Sequence, residues 1–283
     1  QKFPNKILLN GPKGIGKKLF VNHFLNYFYL KENKQSYNLK NYEYNLSNNI
    51  SKLISSSSHP NILKIYRKND KKIIDIDQIR EMIKFTNQTS FNNDRRFIII
   101  ENVNLLGINS ANALLKSIEE PNNKIHFILI NNSEFKVLET IKSRCLEFKL
   151  NLLNSEVMEI VNYHFEADIY KDINLDFINN YNSPSFLISL VNFLESNDLS
   201  IKDNSIENLL AYIIKNKSYT SNDFIKEYLN LFIELFFYKN INISKKISFK
   251  IKKYFYLKLS FVKKYNLDFE SFFLEFNDKL LSE

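Results

Sequence analysis

Residues 6–18 read Lys-Ile-Leu-Leu-Asn-Gly-Pro-Lys-Gly-Ile-Gly-Lys-Lys, and this stretch decides the fold of the first half of the chain. A short apolar run typical of a buried strand ends at Gly11, and apolar residues at helical spacing follow Lys17. In such a turn the backbone N–H groups curl around phosphate oxygens, and the helix N-terminus adds partial positive charge. We therefore predict a phosphate-binding loop that uses three glycines and one lysine, namely Gly11, Gly14, Gly16 and Lys17. The alternative is a plain strand–turn–helix corner.

The same stretch departs from an ATPase site at the position after the lysine. A serine or threonine hydroxyl ordinarily holds Mg²⁺ there, but this residue is Lys18, and an ammonium group cannot coordinate a cation. The later apolar run 97–100 ends in Glu101-Asn102, where an ATPase needs one carboxylate for Mg²⁺ and a second for the attacking water. Glu101 can still contact a metal or nucleotide, but Asn102 is no general base. We expect no hydrolysis here, and binding of ATP or ADP without hydrolysis is left open.

Strand-like and helix-like segments alternate through the first half of the chain. Strands are expected at 6–10, 61–66, 95–103, 125–130 and 146–150, and helices at 17–30, 75–86, 110–120 and 137–143. This alternation predicts a parallel α/β sheet with right-handed crossovers. Residues 31–58 are polar and allow only a weak helix. Beyond residue 150 we expect only helices, beginning with 155–165, 176–181 and 185–195.

The composition excludes several classes of protein. A single cysteine, Cys145, rules out a disulfide framework and a cysteine-cluster metal site, and it fits a reducing cytoplasm. No apolar run approaches the ~20 residues of a membrane span, so no membrane partner is expected. The net charge of +8 is modest for 283 residues, and an AT-rich genome explains it as well as a nucleic-acid partner does. Because the chain begins at Gln1, directly before a strand, we expect a short segment to precede it.

Two motifs later in the first half resemble those of one protein family. Residues 110–121 read Ser-Ala-Asn-Ala-Leu-Leu-Lys-Ser-Ile-Glu-Glu-Pro, and Ser143-Arg144-Cys145 follows them. Both resemble motifs of the AAA+ subunits of bacterial clamp loaders, and residues 59–150 look like the delta-prime type of DNA polymerase III subunit. The resemblance is clear over 1–150, continues less clearly to around residue 195, and rests beyond that on helical character only.

The resemblance implies roles for particular residues. In this family an arginine of one subunit points into the ATP site of a neighbour, and Arg144 matches that position. A guanidinium against the γ-phosphate offsets the charge that builds up in phosphoryl transfer. The residues alone also allow an ordinary surface ion pair with an acid such as Glu147. Asn131 or Asn132 resembles the polar sensor of the first domain and can equally be a strand-ending residue. Phe186 stands where hydrolysing relatives carry a sensing cation.

These implications lead to one expected function and two alternatives. The resemblance implies an AAA+ α/β domain over 1–150, a small helical lid over 151–200 and a helical oligomerisation collar over 201–283. It implies a subunit of the DNA polymerase III holoenzyme that has no polymerase activity and does not hydrolyse ATP itself. The implied partners are the gamma/tau motor and delta subunits and, through the complex, the sliding clamp and primed DNA. The alternatives are an ATP-hydrolysing gamma/tau-type motor and a phosphate-loop-derived binding protein without clamp-loader partners.

The remaining candidates receive structural interpretations. Many delta-prime subunits carry a Cys-rich zinc module, but residues 31–58 contain no cysteine, so we expect no zinc and assign His59 to a turn. Arg80 is expected to pair with a nearby acid, Arg95-Arg96 to lie in a solvated loop, and Cys145 to be a small buried residue. Residues 245–264 interleave lysines with aromatic residues, which suits stacking on nucleic acid. An amphipathic helix with a buried aromatic face and a solvated lysine face is the favoured alternative.

Overall fold

The chain divides into two compact units, residues 1–152 and 153–283. The computed structural model describes residues 3–30, 37–68, 71–91, 94–119, 124–178, 182–243, 247–265 and 267–281. Within these ranges, no helix is both long enough and apolar enough to cross a bilayer.

The first unit is built on a five-stranded parallel sheet. Its strands lie in the order β4-β5-β6-β1-β7, so the strand that carries the phosphate loop lies between β6 and β7. A two-stranded hairpin, which the sequence did not predict, lies apart from the sheet. The strands are β1 (Lys6–Gly11), β2 (Tyr37–Asn38), β3 (Glu43–Tyr44), β4 (Ile62–Ile65), β5 (Arg96–Glu101), β6 (Ile125–Asn132) and β7 (Leu146–Lys149). The helices are α1 (Lys17–Leu30), α2 (Asn49–Ser55), α3 (Ile76–Asn87), α4 (Ile108–Glu119) and α5 (Glu139–Lys142).

Both faces of this sheet are covered, and the alternation along each strand decides which residue faces which helices. In β5, Phe97 and Ile99 pack with α1 and α2, whereas Ile98 and Ile100 pack with α3 and α4. This explains the continuous apolar run, since a strand buried on both sides has no polar face. By the same alternation, Glu101 at the end of β5 falls on the α1 side of the sheet.

The second unit is helical and has a core rich in phenylalanine. Its helices are α6 (Asn154–Phe165), α7 (Ile169–Asp172), α8 (Pro184–Ser196), α9 (Ile206–Lys215), α10 (Ser218–Ser221), α11 (Asp223–Tyr238), α12 (Phe249–Tyr265) and α13 (Glu270–Leu280). The largest fully buried side chains are Phe177, Phe186, Phe232, Phe236, Phe237, Phe255, Phe272, Phe273 and Phe276. The predicted fold class, a parallel-sheet α/β domain followed by helices, is confirmed. The division of the helical half into a lid and a collar stays a prediction.

Three local predictions were wrong. The helix predicted at 110–120 begins two residues earlier, at Ile108, and the last predicted residue, 120, lies outside the described residues. Of the helix predicted at 176–181, the described residues form only a 3₁₀ turn, Leu175–Phe177, and residues 179–181 lie outside the described ranges. That turn ends because Ile178 has an extended backbone, with φ −98° and ψ 113°. The strand predicted at 95–103 ends at Glu101, because Asn102 has a left-handed backbone.

Candidate functional site

The loop between β1 and α1 has a backbone that depends on its glycines. Gly14 and Gly16 have φ values of 83° and 92°, a region that side chains with a Cβ rarely adopt. Gly11 is required for a different reason, because a Cβ there would collide with the backbone carbonyl oxygen of Leu150. The three glycines predicted from the sequence therefore shape one tight turn at the start of α1.

The lysine of this loop is folded back onto the loop itself. Lys17 is only 6% exposed, and its Nζ donates hydrogen bonds to the carbonyl oxygens of Gly11, at 2.7 Å, and Pro12, at 2.6 Å. Burial lowers the pKa of Lys17 to about 8, although the nearby Glu134 carboxylate opposes the shift. Two of the three N–H donors of this ammonium are thus engaged by the loop's own carbonyls.

The position that departs from the ATPase pattern has a defined partner. The Lys18 ammonium forms an ion pair with the Glu101 carboxylate, whose side chain is only 16% exposed. Lys64 lies near the same carboxylate. Burial lowers the pKa of Lys64, the charge of Glu101 opposes this shift and the charge of Lys18 adds to it. The Lys64 Nζ donates to the Ile54 carbonyl oxygen at 2.9 Å.

These residues do not fit a bound Mg²⁺ ion. Mg²⁺ takes oxygen ligands in near-octahedral geometry, and Lys18 supplies none. Its ammonium occupies the Glu101 carboxylate on which a metal would depend. Among the described residues, no group of three or more His, Cys, Asp or Glu side chains is arranged to hold a metal ion.

The two asparagines at the end of β6 face opposite sides of the sheet. Asn131 is buried with the α3–α4 layer, and its Nδ2 donates to Asn10 Oδ1 and to the Phe135 carbonyl oxygen, both at 3.0 Å. Asn132 is on the α1 side, where its Nδ2 donates to Asn102 Oδ1 at 3.1 Å. Asn132 is therefore on the same side of the sheet as Glu101, while Asn131 is turned away from α1. A sensor role for Asn131 stays a prediction. Successive side chains of a strand point to opposite faces of the sheet, and this alternation along β6 separates Asn131 from Asn132.

A polar pocket that the sequence analysis missed lies beside Asn131. It measures about 320 Å³ and is lined by residues of β1, β6, β7 and α5 and by the loop between β6 and α5. In it, Asn10 Nδ2 donates to Glu147 Oε1 at 2.8 Å, and Lys142 Nζ lies 3.6 Å from Glu147 Oε2. The hydrogen bond from Asn10 is the main cause that lowers the pKa of Glu147. Asn10 and Glu147 are 137 residues apart in the chain, so no local motif indicated this contact.

Arg144 lies between α5 and β7, at the amino-terminal edge of the sheet. Its Nη2 lies 2.8 Å from Glu119 Oε1, and its Nη1 donates to the Thr140 carbonyl oxygen at 2.9 Å. The surface ion pair that the residues alone allowed is therefore present, with Glu119 as the acid instead of the example Glu147, which is held by Asn10 and Lys142. The side chains of Arg144 and Glu119 are 37% and 50% exposed, and an ion pair this exposed contributes only ~0–1 kcal/mol.

The other singled-out residues have structural partners. Arg80 pairs with Asp77 at 2.7 Å, which confirms the expected ion pair. The solvated loop predicted for Arg95-Arg96 is wrong for Arg96, which is buried with its guanidinium 3.6 Å from the ring centroid of Phe85. Burial raises the pKa of the partly buried Cys145 thiol to about 11, so this thiol is a poor nucleophile.

Two features of the helical unit bear on the sequence predictions. Phe186 is buried, with ring centroids 5.0 Å from Tyr228 and 5.8 Å from Phe232, so it is a core residue. Helix α12 buries one stripe of its surface, made of Phe255, Leu259 and Val262, as an amphipathic helix should. A second apolar stripe of α12 is exposed and consists of Leu257, Phe261 and Tyr265. The lysine face is therefore not purely polar, and Lys245 and Lys246 lie outside the described residues.

Comparisons with known proteins agree on one family. The family model described as "DNA polymerase III, delta subunit" matches residues 1–154. A DNA polymerase III subunit delta' from Pseudomonas aeruginosa is 30% identical over 140 residues, which cover 50% of this chain and 41% of that protein. A subunit delta' from Buchnera aphidicola (subsp. Schizaphis graminum) is 33% identical over 169 residues, or 59% and 49% of the two chains. A subunit gamma from the same organism is 41% identical over 81 residues, or 29% and 22%.

Similarity to solved structures is weaker. A DNA polymerase III gamma subunit-related protein from Thermotoga maritima has a TM-score of 0.41 and 19% identity, with 85% of this chain and 69% of that chain covered. The chain spans about half or less of the length of the curated relatives named above. The family match itself covers more than half of the chain, including the phosphate loop, the Glu101 strand and Arg144. The chain therefore belongs to the DNA polymerase III delta-subunit family of clamp-loader proteins.

Proposed function

We propose that this chain is a delta-prime-like clamp-loader subunit that does not hydrolyse ATP itself. It donates Arg144 to the ATP site of a neighbouring subunit and so helps to place the sliding clamp on primed DNA. The observation that carries the proposal is the setting of Arg144, which is exposed and held by one weak ion pair to Glu119 and one carbonyl oxygen. A role in replication also implies a cytoplasmic location.

The physical basis of the arginine role is charge compensation across an interface. A guanidinium offers several N–H donors in a planar fork, which matches the oxygens of a phosphate group. Such an arginine raises the rate of phosphoryl transfer ~10³–10⁵-fold in systems where it has been measured. Releasing Arg144 from Glu119 costs only ~0–1 kcal/mol, which is small beside such a gain.

The chain's own loop supports the absence of hydrolysis. Lys17 is engaged by two loop carbonyls, Lys18 is paired with Glu101, and Asn102 stands where a general base is needed. With an amide in that position and no hydroxyl ligand for Mg²⁺, the site lacks the groups that position and activate the attacking water.

Assembly with other subunits is the part of the proposal that involves the helical unit. The exposed stripe Leu257, Phe261 and Tyr265 has a spacing of four residues, so these side chains lie along one face of α12. We assign this face to contact with neighbouring subunits in a collar. The proposed partners are the gamma/tau motor and delta subunits, while the sliding clamp and primed DNA are reached through the complex.

A gamma/tau-type motor is the second candidate function. The observation that favours it is the subunit gamma of Buchnera aphidicola, with 41% identity over 81 residues. Lys18 and Asn102 speak against it, because a motor needs metal coordination and a general base. A phosphate-loop-derived binding protein without clamp-loader partners would retain the same loop but would not associate with motor subunits.

The testing experiment is ATP turnover with primed DNA and clamp. The chain is assayed alone and then mixed with its motor and delta subunits, as wild type and as Arg144→Ala. We expect no turnover by the chain alone, turnover in the mixture, and a loss of about tenfold or more on Arg144→Ala. Arg80→Ala is the matched control, since it also removes an exposed, ion-paired arginine.

Each contrary outcome contradicts a different part of the proposal. Turnover by the chain alone identifies a motor. Equal activity of the mixture with wild type and with Arg144→Ala removes the arginine role. No association with motor and delta subunits in gel filtration removes the clamp-loader function.

A further inference from the structure

Two lysines lie close to the carboxylate of Glu101 at the end of β5, and a third lies in the adjoining loop. Glu101 is paired with Lys18, and its charge also acts on Lys64. Lys17 directly precedes Lys18 in the chain, and the Glu134 carboxylate is its nearby counter-charge. Three lysines thus face two carboxylates, and the local balance is positive.

A divalent cation does not fit this arrangement. It would have to displace the Lys18 ammonium from Glu101 and would then be left with a single carboxylate and no hydroxyl ligand from position 18. It would also lie near the positive charge of Lys64, whose Nζ is anchored by the Ile54 carbonyl oxygen. The repulsion between this divalent cation and the Lys64 ammonium is stronger in partly buried surroundings than in water, because the effective dielectric constant is lower.

The Lys18 ammonium, in contrast, can do electrostatically what a metal does in an ATP site. It has three N–H donors, of which a carboxylate such as Glu101 need engage only some. The remaining donors can meet phosphate oxygens beside the backbone N–H groups of the loop. Its side chain is 61% exposed and reaches Glu101 from the first turn of α1, next to the glycines with positive φ.

We propose that Lys18 is a tethered cation that takes the place of Mg²⁺, so that the loop binds the phosphate groups of a nucleotide without metal. Glu101 is then the anchor that holds Lys18 in position and not a metal ligand. This goes beyond the proposed function, because it makes phosphate binding by the chain's own loop independent of metal and gives Lys18 and Glu101 their roles in it. It is also independent of Arg144, so either proposal can fail while the other stands.

The test measures binding of ADP to the isolated full chain in EDTA and in Mg²⁺, by calorimetry. For wild type we expect the same dissociation constant in both conditions, within about twofold. Lys18→Thr removes the ammonium, supplies a hydroxyl and frees Glu101. Its affinity should fall about tenfold in EDTA, equivalent to about 1.4 kcal/mol, and recover in Mg²⁺.

Three further variants separate charge from structure. Lys18→Arg keeps a cation and should keep metal-independent binding. Lys18→Met removes the cation without supplying a ligand, so Mg²⁺ should not restore its affinity. Lys52→Thr removes an exposed lysine on α2 and should behave as wild type. Circular dichroism checks that each variant is folded.

A second readout uses Mn²⁺ as a paramagnetic probe of the metal site. Wild type with ADP should bind no Mn²⁺ at Glu101, whereas Lys18→Thr with ADP should bind one ion that is lost on adding Glu101→Gln. The proposal is overturned if wild type needs Mg²⁺ to bind ADP, if it binds Mn²⁺ through Glu101, or if it binds no ADP in either condition.

Discussion

The phosphate loop and the Arg144 region both present cations, but at opposite edges of the same sheet and in opposite states. At the carboxyl edge, Lys17 is buried against loop carbonyls and Lys18 is paired with a carboxylate that is largely buried. At the amino edge, Arg144 is exposed and paired with an exposed Glu119. A cation engaged inside the chain is expensive to redirect, whereas one in an exposed ion pair is not. The difference therefore separates Lys17, which is committed to the loop itself, from the exposed cations Lys18 and Arg144, which remain able to meet a ligand.

The largest effect on stability is expected from a substitution in the tightly packed loop between β1 and α1. In Gly11→Ala the new Cβ meets the Leu150 carbonyl oxygen and lies 2.7 Å from Ile15 Cδ1, so backbone must shift. We expect a loss of about 1–3 kcal/mol in the free energy of unfolding, measured by urea denaturation. Gly107→Ala is the control, with an expected loss below about 1 kcal/mol, because its Cβ meets only the end of the Ile73 side chain. Equal losses would show that the loop is not tightly packed.

The burial of Lys17 predicts a pH dependence of stability. Its pKa is lowered to about 8 in the folded chain from 10.5, so between these values the unfolded chain binds a proton that the folded chain does not. The contribution of Lys17 to stability therefore rises with pH across this window, by at most about 1.4 kcal/mol per pH unit, and burying its charge costs stability below it. Lys17→Met should remove this rise.

The measurement is urea unfolding from about pH 7 to about pH 10, compared between wild type, Lys17→Met and the exposed-lysine control Lys52→Met. Lys52→Met should keep the wild-type profile. If Lys17→Met also keeps it, Lys17 is not held in the loop as described, and the contrast with Arg144 disappears.

The smallest effect is expected at the other edge of the sheet. Glu119→Gln removes the charge of the Arg144 partner, and the change in unfolding free energy should stay below about 1 kcal/mol. Turnover of the assembled mixture should remain within about twofold of wild type or rise slightly, because Arg144 is released. A large loss of turnover with unchanged assembly would show instead that Glu119 positions the arginine actively.

The features that the sequence predicted are those encoded by neighbouring residues. The strand and the helix around residues 6–18, the covered strand around the apolar run 97–100 and the run of helices after residue 150 follow from apolar spacing and from glycine placement. The ends of helices were predicted less accurately: α4 begins at Ile108, and only a short turn is present at 175–177. Local preferences at helix ends are weak and are overridden by packing.

The pairing of charged and polar groups was not predictable in the same way. The sequence predicts a solvated Arg96, yet its guanidinium stacks on Phe85. It allows an ion pair of Arg144 with an acid such as Glu147, yet the acid is Glu119, and Glu147 binds Asn10. These contacts depend on the packing of separate elements and on strand register, so no pattern of neighbouring residues predicts them.

The amino-acid sequence by itself determined the alternation of strands and helices, the glycine loop and the motifs that resemble the clamp-loader family, because all of these depend on residues close together along the chain. Only the tertiary structure decided that Lys18 meets Glu101, that Arg144 meets Glu119 and that Asn132 rather than Asn131 lies on the α1 side. The physical reason is that ion pairs and hydrogen bonds act over a few ångströms, and the folded sheet alone brings residues so far apart in sequence within that reach.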